Sequence, residues 1–162
     1  MRRMDFPFRD RMAVAPVELV QAWPFLPAIV ALSALASLPF GPGYAPRFLS
    51  LILPLLGAVI GGTLLVPALL PVLPFRAFSL KGAALGVVIG AVSSLLVRVS
   101  FPAAVALTLV ISAVTAFLAM NFTGASTYTS QAGAEREVHR GAIPMIAAVV
   151  LGVGLFTAQR LL

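Results

Sequence analysis

From position 48 to 70 the chain reads FLSLILPLLGAVIGGTLLVPALL, without one charged residue. An apolar run of about 20 residues is the length of helix that crosses a hydrocarbon core about 30 Å thick. Runs of this kind recur along most of the chain. Hydrophobic residues make up 60% of its 162 positions and charged residues 10%, with a mean hydropathy of +1.07. A soluble fold of this size leaves roughly 30% of its unfolded surface in water, and there is too little polar material here to cover it. The sequence therefore specifies an all-α, polytopic integral membrane bundle.

Five spans are expected, at about 19–38, 48–70, 78–97, 103–120 and 141–158, forming one transmembrane domain over 19–162. Residues 1–18 are a basic lead-in carrying Arg2, Arg3, Arg9 and Arg11, with Trp23 placed as an interface anchor. Pro24 and Pro27 predict a bent or late-starting first helix, and Pro54 and Pro67 interrupt the second. PFGPGYAPR, PVLPFRAFSLKG and the Phe101-Pro102 pair read as connections, while 121–140 reads as a long polar loop. Ala34-Leu35-Ala36 matches a signal-peptidase pattern, but Asp5, Asp10 and Glu18 ahead of it and prolines within the apolar stretch argue against a cleaved leader.

Five spans place the termini on opposite sides. The N-terminal side then holds Arg2, Arg3, Arg9, Arg11, Arg76, Lys81, Arg136 and Arg140, and the other side only Arg47, Arg98 and Arg160. That is eight positives against three, which accounts for all eleven. The positive-inside rule puts the N-terminus and the 121–140 loop in the cytoplasm. The net charge of +6, which in a soluble protein would point to nucleic acid, here sets membrane orientation, and no nucleic-acid partner is expected.

Lipid tails are as apolar as leucine, so helices associate in a bilayer by close packing rather than by burial. Gly82, Gly86, Gly90 and Ser94 recur every four residues on the third span, as do Gly57 and Gly61 on the second. This glycine-zipper pattern predicts the second and third helices as the central contact. Lining of a substrate path is the functional alternative for the same glycines. Glu18, Lys81 and Arg98 are placed at span ends, so no ionisable side chain is expected near a span centre, which weakens a proton- or ion-coupled transporter. Thr108, Ser112 and Thr115 form a hydroxyl stripe of the sort that satisfies backbone or neighbouring helices.

NFTGASTYTSQAGAEREVHR, at 121–140, is the most polar stretch. Its hydroxyls can cap backbone groups or meet a polar ligand. Glu135 and His139 are four apart and read as an exposed helical pair. Asn121-Phe122-Thr123 is a glycosylation sequon, without consequence in a cytoplasmic loop. The chain has no cysteine and one histidine, no paired-carboxylate site, no nucleophile–base pair and no phosphate-cradling loop. It therefore carries no complete active site, and no metal site or bound cofactor is expected.

RDRMAVAPVELV, FRAFSLKGAALG and MNFTGASTYTSQAGAEREVHRGAIP, in this order and spacing, resemble the C-terminal membrane region of the mercury-methylating corrinoid protein family. The resemblance covers essentially the whole chain, and its most specific piece is the NFTGASTYTS segment. In that family a cytosolic corrinoid domain precedes the membrane region, a cap-helix cysteine ligates cobalt, and a ferredoxin-like partner supplies electrons. Without cysteine, no cobalt-ligating residue carries over. What carries over is Asn121, Thr123, Gly124, Ser126, Thr127, Tyr128, Thr129 and Ser130, as contacts for a corrinoid-bearing partner. The resemblance implies a docking subunit for methyl transfer in a bacterial or archaeal cytoplasmic membrane. A small transporter for a metal–thiol complex or an organic solute is the alternative expectation.

Overall fold

The structure, a computed structural model, describes residues 8–37, 44–75, 77–125 and 131–161. These residues are helical nearly throughout and include no strand. In a bilayer, with no water to satisfy exposed amides and carbonyls, helix is one of only two backbone solutions. Five helical stretches are long and apolar enough to cross: Ala15–Ser37, Tyr44–Leu69, Phe78–Val97, Phe101–Asn121 and Val138–Gln159. The protein is a five-span membrane bundle.

The first span joins α1 (Phe8–Ala22) to α2 (Leu26–Ser37) through a 3₁₀ turn at Trp23–Phe25. Pro24 and Pro27 fall in the opening turns of the segments they start, where a missing N–H leaves no helical bond unmade. The expected bend is there, in the form of this tightened turn. Trp23, expected at the boundary, sits inside the span and is exposed on its outer surface.

The second span is interrupted between its two prolines rather than at either. α3 (Tyr44–Ile60) widens into a π turn at Gly61–Leu65, and α4 (Val66–Leu69) closes the span. The amide of Val66 reaches back to the Gly61 carbonyl, and Pro67 has no N–H to offer the carbonyl one turn before it. Such single-turn widenings are rare and cluster at functional positions. Past α4, the Lys81 ammonium donates to the Leu70 carbonyl at 2.9 Å and lies 5.6 Å from the centre of the Phe78 ring. Lys81 thus stops one of the unpaired carbonyls at a helix C-terminus rather than reaching out to headgroups.

α5 (Phe78–Val97) matches the expected third span and ends on Arg98, whose φ of 55° is left-handed. Its N–H closes on the Leu95 carbonyl, and that of Val99 on Ser94. α6 (Phe101–Ala125) begins at Phe101, so the turn precedes the Phe-Pro pair and Pro102 occupies the first helical turn. α7 (Gln131–Leu161) completes the bundle.

The glycine face of α5 meets α6, not the second span. A Cβ on Gly82 would lie 2.6 Å from Cβ of Ala119, one on Gly86 2.5 Å from Cα of Ser112, and one on Gly90 2.7 Å from Cα of Thr108. Gly57 and Gly61 do face α5, but through the side chain of Ile89 rather than through its glycine face. The expectation of the second and third spans as central contact is corrected accordingly. On α6 the glycines meet small side chains and bare backbone, at Thr108, Ser112, Ala116 and Ala119. The hydroxyl stripe serves the same helix: Ser112 donates to the Ala83 carbonyl on α5 at 3.0 Å, and Thr115 to Ala58 on α3 at 3.4 Å. α7 packs on another side of α6, with Gly152 against Val110 and the Ala106 carbonyl. Leu51, Ala58, Leu107 and Ile111 form the core between α3 and α6.

Candidate functional site

Of the residues carried over by resemblance, Asn121, Thr123 and Gly124 belong to the last turns of α6, not to a loop. Ser126, Thr127, Tyr128, Thr129 and Ser130 lie outside the described residues. The expected polar loop over 121–140 is helix from both directions, leaving 126–130 between Ala125 and Gln131. Ala, Gln, Glu and Arg dominate 131–137, and their helix propensity continues α7 outward where polarity alone predicts a loop.

Both helices outrun their apolar stretches here. The apolar stretch of α6 ends at Asn121 and that of α7 begins at Val138, so residues 131–137 extend α7 by roughly 10 Å. α1 also starts ahead of its apolar stretch, at Phe8 against Ala15. With five spans, all three overhangs lie on the side of the N-terminus. Glu135 and His139 are exposed on α7, and among the described residues no group of three or more His, Cys, Asp or Glu is placed to hold a metal ion.

At the base of the overhang a cleft of about 600 Å³ opens between α5, α6 and α7. Ala83, Ala116, Pro144 and Met145 make apolar walls, and half-buried Ser112 and exposed Arg140 also line it. Gly141 of α7 packs beside Ser79 and Met120, where an added Cβ would be in ordinary contact with Ser79. A guanidinium above an apolar cleft suits an amphipathic anion.

A second place stands out, one that sequence position alone sets at a span end. Glu18 lies within the Ala15–Ser37 span and is 2% exposed, with Oε1 buried and without a hydrogen-bond partner among the described residues. Ala15, Glu18 and Ala22 form one buried stripe on α1, which packs on the π turn, α4 and α6. Glu18 thus stands near a span end as its sequence position gives, three residues inside it, but its side chain is buried against the neighbouring helices. The signal was present in its spacing from the two alanines, because small residues at such intervals mark a helix face that packs closely.

No protein family, no curated protein and no solved structure matches this chain. The family resemblance therefore rests on the quoted segments alone.

Proposed function

We propose that this protein is a membrane docking subunit for a corrinoid-bearing protein of methyl transfer, in the cytoplasmic membrane of a bacterium or archaeon. The observation that carries the reading is that α6 and α7 both continue past their apolar stretches toward the NFTGASTYTS segment, whose wording resembles the mercury-methylating family. A partner arriving from the cytoplasm would meet a segment rich in hydroxyls and amides in its sequence, on the same side as the arginines that open the chain. Such a surface gives hydrogen-bonded register and electrostatic steering rather than a large apolar contact. The chain supplies position; the cobalt chemistry and its electrons belong to partners, one corrinoid-bearing and one ferredoxin-like.

The test is purification of the tagged full chain from membranes of its own host. A corrinoid protein is expected to accompany it, recognised by cobalt content and corrinoid absorbance. Replacing Thr127, Thr129 and Ser130 by alanine is expected to lower the cobalt recovered at least several-fold while the chain itself is recovered unchanged. Cobalt-free material from a host that expresses a corrinoid protein defeats the proposal.

A further inference from the structure

We propose that Glu18 is a proton-binding site within the membrane, facing the widened turn of the second span. The site is independent of the docking surface. Its place follows from helix register. Consecutive spans are antiparallel, and α1 meets the later part of the second span (the π turn and α4) while α2 meets α3. Ala22 is buried with Val59 and Leu118. Stepping four residues back along α1 and four forward along the second span brings Glu18 level with Thr63, inside the π turn Gly61–Leu65.

Thr63 is fully buried, and its hydroxyl donates to the Val59 carbonyl at 2.8 Å, so it has no proton to give the carboxyl. The elements packed on α1 bring no charge: residues 61–69 and Phe101–Ala125 contain no ionisable residue, nor does Trp23–Phe25. Lys81, at the start of α5, is engaged by the Leu70 carbonyl. On α1 itself Arg9, Asp10 and Arg11 lie about two turns toward the N-terminus. A bare carboxylate in such surroundings is strongly disfavoured, so something positive must share the pocket.

A hard metal ion takes about six oxygen ligands, and one carboxylate beside a committed hydroxyl falls far short. A proton needs one oxygen, and Oε1 is buried without a hydrogen-bond partner among the described residues. Ala22, Val59 and Leu118 cluster on its deep side, and the site lies only about 5–10 Å inside the N-terminal boundary of the spans. Its proton therefore exchanges with the aqueous phase on that side. Beside it the π turn offers a backbone able to shift between two hydrogen-bond registers, so proton binding has a movable partner in the second span.

The experiment uses the full chain in liposomes and dicyclohexylcarbodiimide, an apolar reagent that adds to a protonated carboxyl to leave an acylurea on it. Peptide mass mapping is expected to place the adduct on Glu18, more in acidic than in alkaline buffer, and to the same extent in sodium and choline chloride. Glu18→Gln removes the adduct, together with a protonated-carboxyl C=O stretch in the infrared spectrum of the unlabelled protein. Absence of the adduct from Glu18 while a water-soluble carbodiimide modifies Glu135 overturns the proposal. So does protection by sodium at fixed pH, which would assign the site to a metal cation.

Discussion

Arg98 holds the one left-handed backbone among the described non-glycine residues. A side chain in that conformation costs about 1–2 kcal/mol, and glycine is the residue that helix ends of this kind favour. Arg98→Gly is expected to raise stability by about 1 kcal/mol, read as a higher melting temperature in detergent. Its side chain is exposed, so little packing is lost. At the same scale Lys81 and Glu18 show why sequence position misleads for membrane charges. Both stand near span ends in the text of the sequence, yet Lys81 turns inward to the Leu70 carbonyl and Glu18 is enclosed. Which way a helix faces decides the surroundings of such a residue, and that is set by neighbours that lie far away in the chain.

Among the elements, α5 and α6 bring two backbones close together along three successive glycines. Adding a methyl at Gly86 drives it into the main chain of Ser112, which cannot yield as a flexible side chain would. Gly86→Ala is expected to destabilise by about 1–3 kcal/mol through overpacking. Gly154→Ala, with nothing within 4 Å of the new carbon, is expected to gain up to about 1 kcal/mol from helix propensity. Unfolding both variants in one detergent gives the comparison, and equal losses would contradict the assigned interface. The glycine repeat on α5 was legible as a packing face because four-residue spacing is a local property. Its partner was not legible, since the alanines of α6 have no meaning until the two helices are set side by side.

For the whole molecule, the five spans followed from hydropathy, as did the third span to the residue. Length of apolar run is set by bilayer thickness, which acts on every helix alike. The candidate docking segment was legible in wording but not in form: composition announced polarity at 121–140, whereas α6 and α7 carry helix into it from both ends. Topology is open to direct measurement. Asp5→Cys and Thr127→Cys, in a chain that has no cysteine of its own, are both expected to react with an impermeant maleimide only when the cytoplasmic side of the membrane is exposed. Labelling of the two from opposite sides would contradict an even number of crossings between them.

α6 receives the glycines of α5, the Ala58 carbonyl of α3 and Gly152 of α7, yet it is the fourth span in chain order. During synthesis three hydrophobic rods must therefore wait in the lipid, beside the translocon, before the post on which they lean has emerged. Assembly of this bundle is a late event. A nascent chain stalled before α6 would be the form most exposed to membrane quality control.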